Sequence, residues 1–298
     1  MFRNAATMRA VTDHRVACSP SKLLGVLVAA LASVVCLAGD RPNDPAPQFL
    51  DRGFRDLYNL KFAPAQQEFD AWKRTYPTDP VGPVSEAAGL LFSEFHRLGI
   101  LESQFYESDS AFEARKKNNP DPAIRQRFDD AIAHAETLAR TRLSANAKDR
   151  DALFAMTLAA GLKADYAALI DKRNFASLHF TKEATGWAEQ LLAVDPNCYD
   201  AHVATGVSKY IIGTMAAPVR WLLRLGGVAG DKQAGITELQ ITAERGHYLA
   251  PFARILLAIA YVREKDKAKA LDLLASLRSE FPDNPLFAQE IARLDASH

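Results

Sequence analysis

The sequence predicts an all-α chain, a stack of antiparallel helical hairpins broken once by an irregular, glycine-flanked insert near 213–235. Three observations carry this. Between Pro251 and Pro282, the residues Leu257, Ala258, Tyr261, Ala270, Leu274 and Leu277 fall into the frame of a 34-residue helix–turn–helix repeat. Two connectors, Asn146–Ala152 (NAKDRDA) and Asp195–Ala201 (DPNCYDA), are alike, and each joins a long helical stretch to a following one. Finally, from Phe49 onward the apolar residues recur with a helical period, and no alternating β-branched run bounded by turns occurs.

Taken in order, the first 39 residues stand apart. Arg3, Arg9, Arg15 and Lys22 precede an uncharged apolar stretch, Leu23–Leu37, and then the small residues Ala38 and Gly39. This is the layout of a secretory signal peptide, and the apolar stretch is shorter than the roughly 20 residues of a membrane-spanning helix. Cleavage near Ala38 or Gly39 is the expectation, which makes the chain exported, periplasmic or envelope-associated. Two alternatives stand beside it: a lipoprotein attached through Cys36, although Val35 replaces the usual small residue before the cysteine, and an uncleaved anchor. Residues 40–47, polar and rich in proline, read as a flexible linker, and 48–298 as the helical repeat domain.

Composition agrees with a packed helical body. The chain is 48% hydrophobic and 24% charged with a formal charge of zero, which does not suggest a dominant nucleic-acid partner. Without residues 1–39, four bases and one acid go from 36 and 36, leaving 32 and 35 and a net charge of −3. One cysteine, Cys198, also remains, so no internal disulfide can hold an exported form together.

The predicted helices are Phe49–Leu60, Ala63–Thr75 (ended by Pro77 and Pro80), Val84–Leu98, 123–144, Ala152–Lys163, Phe175–Ala193, Ala201–Ile212, Ile236–Arg245 with Gly246 as its cap, the pair within 251–284, and a last helix, Leu286–Leu294, closing the open end of the stack. Residues 102–120 are apolar in part but end on a clear break, Asn118–Pro122. Gly206 is placed to let the helices of a pair come close.

These features resemble the tetratricopeptide repeat family, well at 251–284, in part at 181–214 and 49–80, with Arg254 in place of the usual aromatic at the fourth position of the 251–284 repeat. The resemblance implies a right-handed solenoid whose concave surface holds a protein or peptide, the work of an adaptor rather than an enzyme. The stretch 206–275, with Lys209, Tyr210, Gly213, Gly226–Asp231 and Gly235, is also similar to the eukaryotic inclusion-body-clearance tetratricopeptide family, which implies association with lipid or aggregated material.

Chemistry-bearing motifs are sparse. Cys198 and His202 have a spacing that can share a metal, yet no second pair completes a site, and no metal or cofactor is expected. Glu94 and His96, two apart, point in different directions on a helix. No phosphate loop, nucleophile elbow or His-Glu-x-x-His motif is present. The candidate interaction residues are Tyr210, Arg220, Trp221 and Arg224. Within Val219–Leu225 arginines interleave with Trp221, Leu222, Leu223 and Leu225, a pattern suited either to packing on the stack's edge or to peripheral membrane contact.

Overall fold

A computed structural model describes residues 46–102, 119–215 and 230–296, and the residues outside these spans include all of 1–45. Among the described residues there are eleven α-helices and no strand. They are α1 (Ala46–Tyr58), α2 (Phe62–Thr75), α3 (Val81–Arg97), α4 (Pro122–Ala145), α5 (Arg150–Asp165), α6 (Asn174–Val194), α7 (His202–Thr214), α8 (Lys232–Arg245), α9 (Ala250–Arg263), α10 (Lys267–Glu280) and α11 (Pro285–Ala296). A π-helical turn, Tyr166–Ile170, extends α5, and a 3₁₀ turn, Tyr199–Ala201, leads into α7. Helix α1 starts at Ala46, inside the stretch predicted as linker, with Pro47 in its first turn, where a missing N–H costs nothing.

The helices pack as five antiparallel pairs, α1/α2, α3/α4, α5/α6, α7/α8 and α9/α10, with α11 laid on α10. This corrects the sequence frame at 181–214, which joined α6 to α7. Helix α6 packs far more on α5, and α7 on α8, so that frame straddles two pairs.

Two kinds of turn alternate along the chain. Between pairs, the fourth residue donates its N–H to the first residue's carbonyl: Asp79 to Tyr76 (3.0 Å), Asp149 to Asn146 (3.0 Å), Cys198 to Asp195 (3.1 Å) and Asn284 to Phe281 (3.1 Å). In three of these the fourth residue also starts the next helix, since Asp79, Asp149 and Asn284 accept from Val81, Ala152 and Leu286. Within pairs, α1, α3 and α9 end alike: the N–H groups of Lys61, Ile100 and Asp266 reach back to Asp56, Phe95 and Tyr261. Such endings need a left-handed residue, here Leu60, Gly99 and Lys265 at φ of 60°, 65° and 62°. Arginines stitch neighbouring between-pair turns: Arg142 reaches Asp149 at 2.9 Å and Asp79 at 4.0 Å, and Arg150 reaches Asp195 at 2.5 Å.

Close helix approach is concentrated where α7 crosses α8. A Cβ on Gly235 would stand 2.5 Å from the Tyr210 amide nitrogen and 2.7 Å from the Gly206 carbonyl oxygen, both backbone atoms. Gly206 thus does what its position predicts, against α8. We expect Gly235→Ala to lower stability by about 1–3 kcal/mol. Gly186→Ala, where the added Cβ meets nothing within 4 Å, should raise stability by about 0.5–1 kcal/mol. Paired urea titrations check both. Gly246 plays another part than the predicted cap: its φ is −65°, outside the left-handed region. It is glycine for room, because a Cβ would lie 2.6 Å from Asp200 Oδ1.

The last helix is not the only element at that end of the stack. Helix α1 docks across the stack onto two between-pair turns, those before α9 and α11. The Tyr58 hydroxyl donates to the Tyr248 carbonyl (2.8 Å), Asn284 Nδ2 to the Tyr58 carbonyl (2.9 Å), and the Asp283 amide to Asn59 Oδ1 (3.2 Å). Lys61 pairs with Asp283 at 2.7 Å, and Phe54 stacks on Tyr248 with centroids 4.8 Å apart. Farther in, Phe92 of α3 meets Phe252 of α9 edge-on at 5.7 Å, and Phe154 of α5 approaches Tyr248 at 6.3 Å. Aromatic rings therefore fill the space between the first and last pairs, and Tyr58 packs against both apolar cores, the large one of α1–α6 and the smaller one of α8–α11. Both cores lie within one compact unit, Pro45–His298.

The stretch Arg150–Ile170 is long and apolar enough to cross a membrane by composition, but two thirds of its apolar window is buried between neighbouring helices, as a core helix of a stack must be.

Candidate functional site

Of the site residues expected from the sequence, Tyr210 is described and the other three fall, in sequence, between α7 and α8. Tyr210 sits on α7, half-buried, and lines an open depression of about 730 Å³ together with Thr214, Lys232, Arg263 and Glu264. Arg220, Trp221 and Arg224 lie outside the described residues. The chain leaves α7 after Met215 and re-enters the described structure at Gly230 through a neck that only glycine fits. A Cβ on Gly230 would be 2.4 Å from the Gly213 nitrogen, and one on Gly213 would be 2.4 Å from the Lys232 nitrogen. The Asp231 amide closes the neck onto the Lys209 carbonyl (3.1 Å), and its carboxylate starts α8 by accepting from Ala234 (3.0 Å). Below the neck, Glu238 of α8 takes hydrogen bonds from Thr205 and Lys209 of α7. Lys232 pairs with Glu264 at 2.6 Å, tying α8 to the α9–α10 turn. Of the glycines that sequence spacing marks as turn chemistry, Gly213 and Gly230 thus form a close neck between the end of α7 and the start of α8.

The groups weighed for catalysis or metal binding are placed as follows. Cys198 is buried in the α6–α7 turn, and burial pushes its thiol up to about 11, so it stays protonated near neutrality. Burial lowers the His202 imidazole below its usual range. Among the described residues no three His, Cys, Asp or Glu side chains converge on a common point. Glu94 is buried and bound from two sides, by Arg97 at 2.6 Å and by the Asp121 amide at 2.8 Å; His96 turns away to the Phe62 ring.

Two carboxylates that sequence reading passed over are structurally prominent. Asp200 is buried and accepts the backbone N–H groups of His247 (2.8 Å), Tyr248 (3.0 Å) and Leu249 (3.1 Å). Burial still holds its carboxyl above the ordinary range, with those three bonds opposing the shift. The 246–249 turn is therefore held at three successive amides by one side chain from another turn, and it is one of the two turns on which α1 docks. The available signal was an acid within a small-residue connector, at Tyr199-Asp200-Ala201.

The second is Asp165, a half-buried residue at the junction of α5 and the π-helical turn, whose carboxyl is pushed by burial up to about 7. Its unfolded value is near 3.8, so between those values the native state holds a proton that the unfolded chain has lost. Stability from this group is then full at low pH and is lost as pH rises towards and through 7. Asp165→Asn should raise stability by about 1–3 kcal/mol at about pH 8 and change it little at about pH 4, read as unfolding midpoints at the two pH values.

Comparisons with known proteins give a sparse picture. No family model matches the sequence, and no curated protein matches it. Among solved structures, the chain is similar to a thermophilic TPR protein of Thermus thermophilus, at 15% identity over 84% of this chain and 98% of that one, with a TM-score of 0.43. A likeness at that score adds nothing to what the helix pairs themselves show: a stack of helical hairpins closed by its first helix on its last turns.

Proposed function

We propose that this chain is an exported, non-enzymatic scaffold that binds a protein or peptide partner through its helical-repeat surface. One observation supports the reading: a packed frame of helix pairs, with aromatic contacts from α1 and α3 to α9 and the turn before it, is interrupted in sequence by residues 216–229, which are flanked by the close neck of Gly213 and Gly230. In a stack of this kind insertions gather on the binding face. In this reading the contact lies at that neck, on the rim of the stack, rather than on the concave face. Residues 1–39 act as the signal peptide in this reading. Mass spectrometry of the mature N-terminus checks the export step, with a start near Asp40 expected and an intact N-terminus as the contrary result.

The binding step is tested by gentle capture from the exported fraction with the 40–298 chain as bait. A variant whose 216–229 segment is replaced by a short turn serves as the control. A partner held by the first and lost by the second is the expected outcome. An empty capture, or equal capture by both folded baits, overturns the proposal.

A second reading, a peripheral membrane or envelope-associated protein, is supported by the interleaved arginines and large apolar residues of Val219–Leu225. Flotation of the 40–298 chain with liposomes, against Trp221→Ala and a combined Arg220→Ala, Arg224→Ala variant, separates it from the first. No flotation of the parent chain excludes it.

A further inference from the structure

We infer that the N-terminal half of α6, with the turn before it, is a contact for an anionic lipid surface. The inference rests on the second reading above and deepens it, because it stands on described residues outside 219–225. The turn and first helical residues read Asp171-Lys172-Arg173-Asn174-Phe175. Phe175 is 93% exposed, an unusual position for a phenylalanine. The buried residues of α6, Ala184, Ala188 and Leu191, all lie in its C-terminal half. In the first half, Leu178 and Phe180 are only half-buried and His179 is exposed. Ile211, near the end of neighbouring α7, is exposed as well.

The local charge is sorted. Asp171 turns inward to Arg125 (3.4 Å), and Glu183 lies 3.7 Å from Lys163. Arg173 makes no ion pair among the described residues and is exposed. An almost fully exposed aromatic ring and an exposed arginine are left two positions apart at this turn. A protein partner needs a complementary surface of about 1,000 Å² or more to bind specifically. A bilayer interface needs no such complement, since the ring enters the headgroup boundary while the cation meets lipid phosphates. The Arg125–Asp171 contact also places the start of α4 beside this turn. The chain therefore re-enters the described structure after residues 103–118 next to it, on the rim that holds the 216–229 neck one pair farther on.

The test uses the 40–298 chain with Phe175→Cys carrying an environment-sensitive fluorophore; the native Cys198 is buried. Vesicles of phosphatidylcholine with phosphatidylglycerol should shift the emission to the blue, and vesicles of phosphatidylcholine alone should not. In flotation, Arg173→Glu and Phe175→Ser should each reduce binding about fivefold or more, with unchanged unfolding midpoints as the check on folding. Emission already blue before vesicles are added means that the chain itself covers Phe175, which overturns the inference. So does vesicle binding that leaves the label unmoved and is lost only in the Trp221 and Arg220/Arg224 variants, although the second reading then survives. No binding to either vesicle overturns both.

Discussion

Asp200→Ala is expected to cost about 2–4 kcal/mol, because it removes a buried carboxylate that accepts from three part-buried backbone donors. Each donor left without a partner costs about 1–3 kcal/mol, less what water recovers. The turn those donors belong to carries Tyr248, the ring against which Phe54 stacks and the carbonyl that Tyr58 reaches. The loss should therefore reach beyond one turn. Hydrogen exchange at α1 should speed up along with exchange at 246–249, although α1 lies at the far end of the folded chain in sequence. Asp200→Asn keeps an acceptor oxygen at the same place and should cost markedly less. Urea denaturation of the three proteins measures the difference, and equal losses for Ala and Asn would remove the hydrogen-bond explanation.

The second large effect belongs to Tyr58. Its ring bridges the two apolar cores and its hydroxyl donates across the stack. Burial raises the hydroxyl's pKa, which keeps the proton it donates. Removing the whole side chain in Tyr58→Ala should cost about 3–4 kcal/mol, close to the range for large aromatic truncations. Tyr58→Phe keeps the ring and loses one hydrogen bond, for about 0.5–1.5 kcal/mol. If the stack were an open solenoid, Tyr58 would sit on an exposed first repeat and both substitutions would register near zero.

These two residues show where sequence reading stops. Helix positions were legible because each helix buries one stripe at a period of about 3.6: Phe62, Ala65, Phe69 and Trp72 mark α2, and Ala270, Leu274 and Leu277 mark α10. Three of the between-pair turns were legible through an Asp beside a Pro, at Asp79-Pro80, Asp195-Pro196 and Pro282-Asp283. Pairing was harder, since α6 is apolar towards both α5 and α7, and a connector such as DPNCYDA looks the same whether it lies inside a pair or between two. Gly246 looked like a left-handed cap because helix-ending glycines usually are; only its distance to Asp200 shows that space is what it supplies.

The closure left almost no mark on the sequence. Tyr58, Asn59, Asn284 and Asp283 are ordinary turn and helix-end residues, and their partners lie 190 or more positions away. The sequence does not mark the burial of acids such as Glu94 and Asp200, since burial and backbone partners are tertiary properties. The one local sign was Glu94 standing within a strongly apolar run, Leu90-Leu-Phe-Ser-Glu-Phe95. The glycines of the insert marked its boundaries well, while Arg220, Trp221 and Arg224 belong to the part of the account that rests on chemistry rather than placement.

The closed stack is the claim on which the proposed binding rim depends, and one cross-link tests it most directly. His247 Nε2 and Asp51 Oδ1 are 2.7 Å apart at the exposed edge of the α1 contact. The double variant Asp51→Cys, His247→Cys of the 40–298 chain should be joined within one molecule by a short bis-maleimide, whose reach covers the two side-chain lengths, with helix content unchanged and the buried Cys198 unreacted. A folded protein whose two new thiols react with the reagent only singly, or are joined only between molecules, would contradict the closure.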